Sequence, residues 1–399
     1  VIGAGAPANT TNDQRIHRVQ ENMMETALLR TRVWRAVHFQ AGRRQVIRGV
    51  LALGLACISA AGALPLRAQT ADRVLTSEGA VSGKIVSVSA NDVDVEDRNG
   101  DTKKITIDKI RDVQFGGEPQ SLRSARSMLA RGRAAEALEE LGKIEASELD
   151  GAEQLLLDEV EFVKAAAAGR AALASGADPK DAGRLVNDFL TKHPKSHHYY
   201  DMKELIGDLF ARAGKPDGAL AAYSDVAKGP AAFKVRAAAA KAGMLFDQQK
   251  YDEAIKEFEI AIKIDATDDA SAAQKRNAEL GKARCLSRLG KNQDAVKLIQ
   301  GIIKQADPEE KDLLARAYNV LGGAYRAAGD KDQDALISYL TVDLVYNGSP
   351  DAHAEALYNL GELWERAKNP ERARETRKLL EESYPGSGWA KKPTAAAKT

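Results

Sequence analysis

Two hydrophobic periods divide this chain. Over residues 72–115 apolar and polar side chains alternate, most strictly in Asp92-Val93-Asp94-Val95-Glu96, and a period of two is the mark of strands. Val81, Gly83 and Ile85, then Val86 and Val88, outline a long strand. Ile105 with Ile107, and Val113 with Phe115, outline later ones. Asn99-Gly100 supplies the residues that a tight hairpin turn demands, because its central positions need positive φ. Four or five short strands in so short a stretch predict a small curled antiparallel barrel over residues 71–118, with Gly79 and Gly83 bending the second strand. A module of this size is marginal alone, so it is expected to dock on the first helix that follows.

From residue 119 to residue 385 the period is helical, and a frame recurs. Leu360-Gly361 is followed by Trp364 and, twelve residues after the glycine, by Ala373. Ile206-Gly207, Phe210 and Ala219 keep the same spacing, and Leu321-Gly322, Tyr325 and Ala335 lengthen it by one residue. Such a unit predicts two antiparallel helices, with a glycine on the first that admits the second and an alanine on the second as its small counterpart. Ala137, Ala182, Ala219, Ala254, Ala295, Ala335 and Ala373 are the anchors, 35 to 45 residues apart. Asp178-Pro179, Asp307-Pro308-Glu309 and Asn369-Pro370-Glu371 place a capping side chain before a first-turn proline. After Tyr384-Pro385-Gly386 the chain is small, lysine-bearing and broken by proline, and residues 386–399 are expected to be disordered.

Tyr251-Asp252-Glu253-Ala254-Ile255, with Phe258, Ala261 and Ile262, resembles the second helix of a tetratricopeptide repeat. Tyr318, Leu321-Gly322 and Tyr325 resemble the first helix, as do Leu357, Leu360-Gly361 and Trp364. The resemblance implies a mainly α protein, a right-handed solenoid of about seven helix pairs, behind a module similar to the small SH3-like or Sm-like barrels. It also implies that ligands lie in the groove lined by the first helices. By frame position that face includes Arg284, Arg288, Asn319, Arg326, Tyr358 and Glu362. Three arginines beside a tyrosine suit a carboxylate-bearing peptide or protein partner, since guanidinium pairs with carboxylate in a two-pronged fashion.

Charge changes the picture mainly at the front. The net charge is +1, yet residues 1–68 hold nine arginines against three acids, which leaves a mildly acidic body. Arg43-Arg44, an apolar run from Val50 to Ile58 and the small residues around Ala61 and Ala63 read as a secretory signal peptide within a leader of residues 1–68. Residues 1–22 precede Met23 and Met24 and read as an over-extended gene start. Export to the periplasm or cell envelope follows, and with Cys57 removed Cys285 is left as a lone, buried structural thiol. Over residues 72–118 ten acids face seven bases, which argues against a nucleic-acid adaptor.

Catalytic chemistry is not written in any motif. There is no glycine-rich phosphate loop and no G-x-S-x-G elbow, and Val1-Ile2-Gly3-Ala4-Gly5-Ala6 lacks the rest of a dinucleotide fingerprint. His193, His197 and His198 form the one histidine cluster, but Pro194 breaks the helical face that a His193/His197 metal pair needs, so a solvated turn is expected there. Neither a metal nor a cofactor is expected. The expectation is a non-catalytic interaction scaffold in the bacterial envelope, and the alternatives are an enzyme with its site between the β module and the array, or a nucleic-acid adaptor.

Overall fold

The computed structural model describes residues 71–176 and 178–393; the expected leader lies outside them. Five strands open this region: β1 (Asp72–Thr76), β2 (Gly79–Val88), β3 (Asp92–Glu96), β4 (Thr102–Thr106) and β5 (Ile110–Gln114). They form one antiparallel sheet in the order β4-β3-β2-β1-β5. The long β2 serves both halves of the sheet. Its first residues pair with β1, up to Gly83 opposite Asp72, and its last pair with β3 from Lys84 opposite Glu96 onward. Gly83 sits at that handover because a Cβ there would lie 2.1 Å from the Glu96 carbonyl oxygen. In the β3–β4 turn, Gly100 has φ +86° and Asp97 accepts the amides of Asn99 and Asp101. Val74, Ile85, Val93, Val95, Ile105 and Val113 turn inward, the face that the alternation predicts.

Fourteen α-helices follow among the described residues, in seven pairs. They are α1 (Gln120–Ala130) with α2 (Ala134–Leu141), α3 (Gln154–Ser175) with α4 (Lys180–Lys192), and α5 (Tyr199–Arg212) with α6 (Pro216–Val226). Then come α7 (Ala231–Asp247) with α8 (Tyr251–Lys263), α9 (Asp269–Arg288) with α10 (Asn292–Gln305), α11 (Lys311–Ala328) with α12 (Asp332–Val345), and α13 (Pro350–Arg366) with α14 (Pro370–Ser383). First helices of successive pairs pack on one another, from α1 on α3 to α11 on α13, and so make a continuous inner layer. No helix among the described residues is long and apolar enough to cross a membrane.

All seven anchor alanines are buried, six of them completely. The side chain lying over the glycine, however, is not the alanine but the residue four positions after it, one turn along the same face. Tyr223 covers Gly207 and Tyr339 covers Gly322, at 2.5 and 2.8 Å from where a Cβ would be. Gly361 meets the Arg377 side chain first, at 3.3 Å, and the Ala373 carbonyl at 3.9 Å. The tightest approach between helices was not in the expected set: Phe258 of α8 sits 2.3 Å from a Cβ at Gly281 of α9, across the boundary between two pairs.

Two expectations about local structure need correction. Asp307 accepts the Glu309 amide at 2.8 Å, but α11 starts later, at Lys311, so Asp307-Pro308 makes a preceding turn instead of a cap. Asn369 does cap α14, accepting from the Arg372 amide at 3.2 Å. The tail does not dissolve at residue 386. Trp389 and Ala390 pack with Tyr384 against Leu357 and Leu380, because an aromatic ring among small residues has an apolar surface within reach.

The β module docks on α1, where Val74, Val113 and Phe115 share a core with Leu122, Ala125 and Leu129. It also reaches further than its neighbouring helix. Ile107, in the short 3-10 turn between β4 and β5, is buried with Tyr200 of α5 and Phe233 and Ala237 of α7. The Tyr200 hydroxyl donates to Asn91 Oδ1 at 3.2 Å. The module thus spans the inner layer from α1 to α7.

Candidate functional site

Helices α9, α11 and α13 carry the six residues assigned to the groove, and the structure brings most of them to one face. Arg284 and Arg288 are exposed, with the Arg284 guanidinium 5.0 Å from the centre of the Phe246 ring. Arg326 donates to Asn359 Oδ1. Tyr358 is half-buried beside them. Glu362 faces Arg377 of α14 at 3.9 Å, at the outer edge of the group. Asn319 is the exception. It is 3 % exposed, and its amide donates to the Ala352 carbonyl at 2.8 Å, so it ties α11 to α13 instead of facing a ligand. Glu355 was not among the six but belongs with them. Burial raises its pKa above the usual carboxylate range, against the pull of Arg284, of Lys392 and of the Asn319 hydrogen bond.

A peptide segment already lies on this face, and it is the chain's own. The Trp389 ring stands 5.5 Å from that of Tyr358, and the Tyr358 hydroxyl donates to the Pro393 carbonyl at 3.3 Å. Lys392 Nζ lies 3.5 Å above the Trp389 ring. Burial pushes the Lys392 ammonium below its usual pKa; Glu355 opposes the shift, and Arg284 and Arg288 add to it. A cationic side chain has been folded into a basic corner.

The second concentration of polar groups is at the seam between the β module and the array. A cavity of about 570 Å³ opens there, walled by β5, α1, α3, α5 and α7 and reaching α9. The histidine turn faces it, which overturns the expected solvated turn: α3, 22 residues long, sets Asp158, Glu159 and Glu161 against that turn. His193 lies 3.3 Å from Asp158 and 3.1 Å from Glu161. His198 stacks on Phe162 with ring centres 3.3 Å apart, and its Nε2 is 2.8 Å from Glu159 Oε2. His197 Nε2 is buried with no hydrogen-bond partner.

Glu159 also lies 3.4 Å from Arg126, which pairs in addition with Glu118 at 2.5 Å and Asp112 at 3.8 Å and donates to the Val113 carbonyl. Burial opposes ionisation of Glu159, but His198, His197 and Arg126 outweigh it and bring the pKa to about 2. Burial pushes the His197 pKa down to about 3, with the neighbouring His198 adding to the effect, so that imidazole is neutral. On the far wall Arg236 holds Asp201 at 2.6 Å and also contacts Glu204. Sequence reasoning passed over Glu159 because nothing local marks it; its partners are 38 and 39 residues away.

Cys285 is fully buried, and burial raises its thiol to about 11, as befits an inert structural cysteine.

Residues 204–271 and 355–387 match family models described as tetratricopeptide repeat. The first runs from within α5 through α8 to the start of α9, and the second spans most of α13 and all of α14. With seven stacked helix pairs around one inner layer, the architecture is a tetratricopeptide-type solenoid carrying a small antiparallel sheet at its N-terminal end. No curated protein matches the sequence. Among solved structures, a tetratricopeptide repeat protein from Parabacteroides merdae is 17% identical, with 68% of this chain and 98% of that one covered and a TM-score of 0.47. The apo form of the quorum sensor NprR from B. thuringiensis is 16% identical, with 66% and 77% covered and a TM-score of 0.49. The apo form of RapI is 13% identical, with 67% and 77% covered and a TM-score of 0.47.

Proposed function

We propose that this chain is a non-catalytic interaction scaffold of the bacterial cell envelope that holds a peptide or protein partner on the face of α9, α11 and α13. The observation that carries this is the docked tail: Trp389 on Tyr358 and Pro393 bound by the Tyr358 hydroxyl form a peptide complex in miniature. The tail is also a poor electrostatic match, since Lys392 sits near Arg284 and Arg288. A partner bringing a carboxylate to those arginines exchanges repulsion for a charge-assisted hydrogen bond. Such a segment is therefore expected to displace the tail. Envelope placement rests on the leader pattern of residues 1–68, and the acidic balance of the β module speaks against nucleic acid.

The test is affinity capture from the envelope fraction with wild type and with an Arg284→Ala/Arg288→Ala/Arg326→Ala variant of equal helicity. A specific partner held by the wild type and lost by the variant supports the groove. The same partner held equally by both removes the groove from the proposal.

One observation favours the alternative of a chemical site at the seam, namely the cavity beside Glu159, His197 and His198.

A further inference from the structure

We infer that Glu159, His197 and His198 form a binding site for one divalent transition-metal ion of the zinc class, with its remaining coordination position facing the seam cavity. This stands apart from the groove, which shares no residue with it. The three donor atoms lie within 4.8 Å of one another. Zinc binds such ligands at about 2.0–2.2 Å, so in a tetrahedral site donors are roughly 3.4 Å apart, and a pair 4.8 Å apart has to close by about 1.4 Å. Two imidazoles select against calcium and magnesium, which prefer oxygen, and for zinc and its neighbours.

Three further observations point to a cation there. The first is His197, whose buried Nε2 has no partner. Buried nitrogen without a hydrogen bond is rare because it loses water and gains nothing, and a metal bond would satisfy it. A purely structural Glu159–His198 pair explains those two residues and leaves His197 unexplained. The second is the charge balance. Six carboxylates line the cavity (Asp108, Asp112, Glu159, Asp201, Glu204 and Asp268) against four arginines (Arg111, Arg126, Arg170 and Arg236), a balance that favours a cation. The third is prior order. The Phe162 ring fixes the plane of His198, and Arg126 holds Glu159 Oε1 while Oε2 faces His198. Outer contacts of this kind orient metal ligands in known sites.

The experiment uses the full chain, free of any histidine tag, dialysed against a chelator and then titrated with Zn²⁺ by calorimetry and with Co²⁺ by visible absorption. One equivalent is expected to bind, with the intense Co²⁺ band of a four-coordinate site. His197→Ala is expected to weaken binding by more than the about 10–100-fold that loss of an outer-shell partner costs. Because His197 Nε2 holds no hydrogen bond, the same substitution should cost the chelated protein no more than the packing of that ring on His198, with helicity unchanged. His193→Ala, whose ring pairs with Asp158 and Glu161, should keep the wild-type affinity and serves as the control. Failure of the wild type to bind a stoichiometric ion overturns the inference. So does wild-type affinity in His197→Ala, or a loss confined to His193→Ala.

Discussion

Gly281→Ala should destabilise the array, although alanine is the better helix former. A Cβ at position 281 would stand 2.3 Å from Phe258 Cζ and within 2.8 Å of two more ring atoms, far inside contact distance. Phe258 is 7 % exposed, so the ring cannot swing out into water and α8 must shift from α9. Overpacking of this order costs about 1–3 kcal/mol. The helix-propensity gain of roughly 1 kcal/mol returns part of that, leaving a net loss of up to about 2 kcal/mol. Gly301 of α10 and Gly243 of α7 have nothing within 4 Å of an added Cβ, so alanine there should instead stabilise by roughly 0.5–1 kcal/mol. Urea titration followed by far-UV circular dichroism reads all three, as a midpoint moved down by the first and up by the others. Phe258→Leu in the Gly281→Ala background should recover part of the loss, since the two residues touch and their effects are coupled. Gly281→Ala as stabilising as Gly301→Ala would refute the close-approach account of the pair boundary.

Three other outcomes are expected. Asp208, half-buried under the Tyr223 hydroxyl at 2.8 Å, has its pKa raised to about 6, chiefly by desolvation. Its folded value exceeds its unfolded one, so its contribution is fully present below the unfolded value of about 4 and is lost as pH rises through about 6. Asp208→Asn should then stabilise the protein by roughly 1–3 kcal/mol at neutral pH and by little at pH 4, read by melting at the two pH values. Ile107→Ala removes the buried side chain that joins the β module to Phe233 and Tyr200. It should cost about 2–5 kcal/mol and speed amide exchange in α5 and α7, whereas unchanged exchange would separate the module from those helices. Trp389→Ala should free the tail, raising trypsin cleavage after Lys391 while the far-UV spectrum stays the same.

How much of this was legible depended on how local each feature is. The anchor alanines are read from one chain segment at a time, and all seven prove buried. So do Val93 and Val95, which alternation alone assigns to the inner face. Gly281 escaped because its partner Phe258 lies in the preceding pair, while the frame compares positions within a pair. Asn319 has the frame position of a ligand contact, but the rotation of α11 aims its amide at the Ala352 carbonyl. Glu159 and the two histidines are joined only when α3 and the turn before α5 meet under the β module, a tertiary event with no local signature. The tail misled by composition, since small and lysine residues hid the one ring that anchors it.

The most direct test of the groove is site-specific photo-crosslinking in the native envelope. A photoreactive phenylalanine at Tyr358 probes the inner face, and one at Ile337, exposed on the second helix α12, probes outside the first-helix layer. The expected result is a discrete crosslink from position 358 to another protein, lost when Arg284 and Arg288 are alanine, and none from position 337. Crosslinks to that protein from position 337 alone, with only the chain's own tail captured at position 358, would contradict the groove as the functional surface.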